Sequence, residues 1–182
     1  SDTNSADSGV ITAVFPATAS IGSIGDSALG GKVAYILQDG DTGYVAGEQR
    51  GLIAATADQD GGSGIIWATA ANQSTAVTDG TGTDLGTGSV NTDRIIDQNG
   101  AGITYAAGLA RAYNGGSYTD WYLPSKDELH ALYNNKDLIG NFSSASYWTS
   151  SEYTDYPEYA LFESFINGYQ SEDFKYGTVR VR

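Results

Sequence analysis

The chain of 182 residues contains no cysteine, no methionine, one histidine and three prolines. Without cysteine there are no disulfides, thiolate metal sites, iron–sulfur clusters or cysteine nucleophiles. The lone histidine, His130, has no second histidine with which to build a zinc site. No G-x-S-x-G accompanies it to make a hydrolase triad, so it reads as a structural residue within a helix. Basic residues are also scarce: 9 Lys and Arg stand against 22 Asp and Glu, a net charge of −13. Such a chain repels phosphate polymers, sulfated polysaccharides and anionic lipid surfaces, which excludes nucleic acid as a partner. The apolar runs are too short to span a bilayer, so no membrane insertion is expected. A chain that starts at Ser1 with no apolar leader reads as the product of processing, an export signal having been removed. Charged residues are only 17% of the total, low for a cytoplasmic protein. With 24 Gly and 13 Tyr, this composition points to an extracellular or cell-surface setting.

Chemistry-bearing motifs are equally thin. The acidic pairs Asp39/Asp41, Asp58/Asp60 and Glu172/Asp173 are expected by chance among 22 carboxylates, and sequence cannot test whether any pair faces across a cleft. Asp39-Gly-Asp41-Thr-Gly43 resembles the start of a calcium loop, but the twelfth position is Arg50, so it is not an EF-hand. The Gly-rich stretches at Gly61–Gly64 and Gly80–Gly88 lack the Lys of a phosphate-binding loop. The chain is therefore expected to be non-catalytic and without cofactor, a structural calcium in a mixed loop being the alternative kept open.

What is present is an ordered succession of short elements. Residues 1–20 read as an arm or linker, its Val10–Ala19 stretch an edge strand that tolerates Pro16. Strands are expected at Lys32–Gln38, Gly51–Ala55, Ile65–Ala68, Asp120–Leu123, Tyr147–Ser150, Tyr159–Ile166 and Thr178–Val181. A first helix is capped by Asn91-Thr92 and runs to about Gln98; a second spans Thr104–Asn114. The third begins at Pro124-Ser125, where Ser125 and Glu128 fit a capping box. Asn167-Gly168 signals a hairpin. Strands, then helices, then strands give an α+β domain over residues 21–182.

The aromatic residues are unevenly placed. Ten of the 21 fall between Tyr147 and Tyr176, interleaved with Glu152, Asp155, Glu158, Glu163, Glu172 and Asp173. Trp148, Phe165 and Phe162 read as core. The many tyrosines beside carboxylates read as a binding surface, because Tyr offers a large, rigid contact area with a polar tip.

A set of motifs then resembles a known family. It comprises Gly30-Gly-Lys-Val-Ala-Tyr-Ile-Leu37, Gly51-Leu-Ile-Ala-Ala55, Tyr105-Ala-Ala-Gly-Leu-Ala110 and Asp120-Trp-Tyr-Leu-Pro-Ser-Lys-Asp-Glu-Leu129. Tyr147-Trp-Thr-Ser-Ser-Glu152, Phe165-Ile-Asn-Gly168 and Val179-Arg-Val-Arg182 complete it. Together, from about Ile24 to Arg182, they resemble the C-terminal domain of the collagen-like adhesin Lcl. The resemblance implies a C-type-lectin-like fold with short twisted antiparallel strands and two to three helices, related to formylglycine-generating enzymes and to retroelement-diversified proteins. The catalytic relatives depend on cysteines, so their activity does not carry over. In the diversified relatives the variable positions cluster in the last strands. Here these correspond to Tyr153, Asp155, Tyr156, Glu158, Tyr159, Leu161, Glu163, Asn167, Gln170, Glu172, Asp173, Phe174 and Tyr176. The adhesin's polyanionic ligands call for basic residues, and this region carries Lys175 among six carboxylates.

The sequence thus predicts a bacterial, extracellular, non-catalytic adhesion module presenting residues 153–176 to a protein or neutral glycan. The alternative is a structural subunit of a self-assembling filament or surface coat, with residues 1–19 contacting a neighbouring subunit.

Overall fold

The computed structural model describes residues 21–182 in full and Val10–Val14 as backbone. The expected arm at residues 1–9 and the stretch 15–20, Pro16 included, lie outside the described residues. The architecture is mixed α+β, with two antiparallel sheets and, among the described residues, four helices. The first sheet has the order β1-β4-β3-β2, from Val10–Val14 (β1), Ser27–Ala28 (β2), Gly31–Ile36 (β3) and Arg50–Ala54 (β4). The second has the order β5-β6-β7, from Ser146–Glu152, Tyr159–Ser164 and Gln170–Phe174. Between them run α1 (Gly88–Asn99), α2 (Ala106–Ala112), α3 (Lys126–Asn134) and the single turn α4 (Lys136–Ile139). The expectation of two to three helices did not include α4.

The segment expected to meet a neighbouring subunit is laid, in this chain, along its own domain. Val10 to Val14 pair antiparallel with Ala54 to Arg50. The apolar strand β4 would otherwise present a row of unpaired backbone groups, and β1 covers that edge.

Three expected strands are not strands, for one physical reason: their backbone groups bond to several partners rather than one ladder. Ile65 exchanges bonds with Val179, Trp67 N–H donates to the Lys175 carbonyl (2.8 Å), and the Ile66 carbonyl accepts from Ala106 N–H (2.9 Å). Residues 178–181 are likewise shared between Ile65, Tyr147 and Gln59. At 120–123 the Leu123 N–H donates to the Thr92 hydroxyl (3.0 Å). That stretch is nonetheless the keystone of packing. Trp121, Tyr122 and Leu123 are each at most 2% exposed and enter three different apolar clusters. An extended chain throws successive side chains in different directions, which a helix would not allow here. Trp148 is buried as expected, and its indole N–H donates to the Ile65 carbonyl (2.8 Å) while the Trp67 indole donates to Thr149 (2.7 Å).

Asn91 and Thr92 do not cap α1, which starts three residues earlier at Gly88. Both are buried inside the helix. The Asn91 amide group exchanges bonds with Gly82 and donates to Ser150, and Thr92 holds Leu123. The early start depends on Gly88, since any Cβ there would collide with the Glu128 carboxylate and the Tyr122 ring. The capping box of α3 is present: Glu128 N–H donates to Ser125 Oγ (3.3 Å) and Ser125 N–H to the Glu128 carboxylate (2.8 Å). Glu128 also accepts from Gly86 N–H (2.9 Å) and Tyr122 Oη (3.2 Å), tying the 78–89 loop to the helix. Burial pushes its carboxyl above the ordinary value, and these hydrogen bonds pull it part of the way back.

Candidate functional site

The second sheet carries the candidate face. In an antiparallel pair the residues opposite one another share a face. Tyr159 is paired with Phe174, Leu161 with Glu172 and Glu163 with Gln170. Tyr159, Leu161, Gln170, Glu172 and Phe174, five of the thirteen candidate residues, thus share one face with the buried Glu163, aromatic at one end and polar at the other.

The aromatic end is extended by the loop between β5 and β6. Tyr153 N–H donates to the Tyr159 carbonyl and Tyr159 N–H to that of Tyr156 (3.2 Å each), which closes residues 153–159 into a tight connection. Five rings follow in series. Tyr153 and Tyr156 lie nearly parallel with centroids 6.2 Å apart, and Tyr156 meets Tyr159 edge-on at 6.3 Å. Tyr159 stacks on Phe174 at 4.3 Å, and Phe174 on Tyr176 at 4.8 Å. A hollow of about 260 Å³ opens among Tyr153, Tyr156, Tyr159, Glu158 and Glu172. A second, of about 340 Å³, adjoins it and is lined in part by Tyr153, Leu161, Gln170, Glu172 and Lys126.

Beneath this face the base is closed. The Glu152 carboxylate accepts from Val77 N–H (3.0 Å) and pairs with Lys175, whose ammonium also donates to the Thr75 carbonyl (2.9 Å) and lies 4.8 Å from the centre of the Trp67 ring. Burial lowers the Lys175 ammonium below its ordinary value, and Glu152 counters this. Arg180 likewise makes its charged contacts inside the domain, 3.7 Å from Asp60 and 3.8 Å from Asp58.

Three candidates do not belong to the exposed surface patch. Glu163 is fully buried, held by His130 Nδ1 (2.8 Å) and the Gln170 amide (3.1 Å). Its carboxyl is raised by burial, with the His130 and Gln170 contacts working in the opposite direction. Asp173 is paired with Ala160, so it takes the opposite face of the sheet, where its carboxylate accepts from Phe174 N–H (2.8 Å). Asn167 is at the far tip of the hairpin and accepts from Tyr169 N–H (3.1 Å). Strand alternation decides for Asp173, the cover of His130 for Glu163 and the hairpin turn for Asn167, and motif resemblance carries none of these. Tyr153, Asp155, Tyr156, Glu158, Tyr159, Glu172, Phe174 and Tyr176 gather at the aromatic end, with Leu161 and Gln170 beside them.

Residues the sequence reading missed come from distant loops and from the start of α3. Thr83 and Lys126 border the larger hollow, and Ala76, Val77 and Thr81 border a third of about 270 Å³ behind Tyr153. They lie more than twenty-five residues upstream of Tyr153, and no local pattern marks them. The calcium-loop stretch is occupied by internal bonds: the Asp41 carboxylate accepts from Tyr35 Oη (2.8 Å) and Gln38 N–H (2.7 Å). Among the described residues no group of three or more His, Asp or Glu is arranged to hold a metal ion.

Fold and site together define an α+β domain that displays an aromatic hairpin over an ion-paired interior. The family model of the Lcl C-terminal domain matches residues 57–182, and the chain belongs to that family. The match takes in α1–α4 and the second sheet and begins after β4, later than the motif resemblance from Ile24. Membership of this adhesin-type family fits an extracellular or surface protein. Among the described residues no helix is long and apolar enough to cross a membrane. No curated protein matches the chain.

Proposed function

We propose that this domain is a non-catalytic adhesion module that presents the aromatic end of the β5–β7 sheet to a protein or glycan outside the cell. The observation that carries the reading is the five-ring series on the surface, Tyr156 and Tyr176 being 57% and 56% exposed. Monomeric domains rarely leave such contiguous aromatic area uncovered unless something binds it. Heparin and DNA are not expected among the ligands, given the charge of −13. The test is retention of the purified domain on immobilised extracellular proteins, neutral polysaccharides and heparin at ~0.15 M salt. The wild type should bind a protein or neutral glycan, and Tyr156→Ala/Tyr176→Ala should lose that binding with its circular dichroism unchanged. Equal binding by the double variant, or retention on heparin alone, refutes the reading.

A second reading, a filament subunit, draws on β1. This edge strand precedes the matched family domain, and the slot it fills along β4 is one that the same strand of a neighbour could fill. Electron microscopy of the full chain and of a variant lacking residues 1–19 tests it. Polymers that vanish on truncation support assembly through β1, and a monomeric full chain removes it.

A further inference from the structure

We infer that the hollow among Tyr153, Tyr156 and Tyr159 is a receptor for an alkylammonium group, the lysine side chain of a basic polypeptide. The inference rests on the binding role proposed for this face and names its ligand chemistry.

Three walls of the hollow are ring faces or edges. Tyr153 and Tyr156 are within 10° of parallel, and Tyr159 stands at 73° to Tyr156. With neighbouring centroids 6.2 and 6.3 Å apart, a group seated in the hollow that the three rings border comes within the ~6 Å reach of cation–π attraction. The remaining lining is Glu158 and Glu172. Among the described residues neither carboxylate forms an ion pair, and neither does Asp155. The nearest basic side chain along the strands, Lys175, is turned inward and consumed by Glu152. Lys126 borders the adjoining hollow, not this one. The phenols register the resulting negative potential. Asp155 above all holds the Tyr153 hydroxyl above its ordinary value, and Tyr159 is raised by burial and then by Glu158.

Ring faces attract a cation through their quadrupole, and carboxylates attract it by charge; an anion is repelled by both. A neutral sugar would stack on the rings and hydrogen-bond to the carboxylates, but only a cation draws on their net charge as well. A polypeptide source is favoured over a small free cation because the whole chain carries −13. That field steers and holds a chain of several positive charges far better than a single one.

The test is a calorimetric titration of the full chain with an octalysine peptide, tetramethylammonium chloride, a neutral linear oligosaccharide and phosphatidylcholine vesicles. Octalysine should bind saturably and tetramethylammonium more weakly. Tyr156→Ala, at an exposed position, and Glu158→Gln/Glu172→Gln should each weaken octalysine by at least about tenfold. Octalysine binding that is unchanged in Tyr156→Ala reports diffuse charge attraction and overturns the proposal, as does no binding of octalysine to the wild type. Binding of the oligosaccharide or vesicles alone, lost in Tyr156→Ala, overturns the cation while leaving the binding face intact. A face that binds nothing in the panel and adheres to no immobilised extracellular material removes the binding role itself.

Discussion

The carboxylates inside this domain and those on its hairpin face live under different rules. The Glu128 carboxylate is met by three hydrogen-bond donors, Glu152 by Lys175 and Val77, and Glu163 by His130 and Gln170. Arg182 is similarly enclosed by the carbonyls of Ala55, Gly140 and Asn141, with Asp58 at 3.5 Å. Outside, Asp155, Glu158 and Glu172 stand beside tyrosines and form no ion pair among the described residues. Burial forces every charge to find a partner within the chain. Solvent imposes no such demand, so an acidic cluster can be left for a partner from elsewhere.

Breaking the interior should therefore cost much and breaking the face little. Glu152→Gln leaves the Lys175 ammonium buried without its counter-charge and should cost ~3–5 kcal/mol in urea denaturation. A loss below ~1 kcal/mol would show that water reaches the pair.

Tyr147 gives the next effect. Burial pushes its phenol up to about 12, with Asp58 adding to the rise and Ser143 opposing it. The unfolded chain loses this proton near pH 10 and the folded one near 12. The folded state then binds more protons across that window, so stability falls as pH rises through it. The loss should be on the order of 2 kcal/mol, measured by denaturation at pH 9 and 11.5, and Tyr147→Phe should flatten it. A smaller effect belongs to Ser125→Ala, which removes the α3 cap and the bond to the Asp84 carbonyl. About 1–2 kcal/mol is expected from thermal melts.

What the sequence disclosed follows from this same division. The capping box, the burial of Trp148 and Phe165 and the hairpin at Asn167-Gly168 were legible because local pattern dictates them. The true role of Asn91 and Thr92 was not, since an Asn-Thr pair reads equally well as a cap, and their partners Gly82, Ser150 and Leu123 are remote. Strand patterns at 65–68, 120–123 and 178–181 misled because apolar content reports burial, not a ladder. The aromatic cluster was evident from composition, but the side of the sheet that Asp173 occupies depended on register, and the burial of Glu163 on the contact with His130 from α3.

At the small end lies the face itself. Tyr156→Ala and Glu172→Gln should each change stability by no more than ~0.5 kcal/mol; a larger loss would place the rings in the core rather than on display.

The most direct measurement is salt elution of the wild type and Tyr156→Ala/Tyr176→Ala from immobilised oligolysine. The two proteins carry the same charge, so diffuse attraction holds them equally. A hairpin face built to receive cations predicts that the double variant leaves at clearly lower salt. Elution of both at the same salt would contradict it.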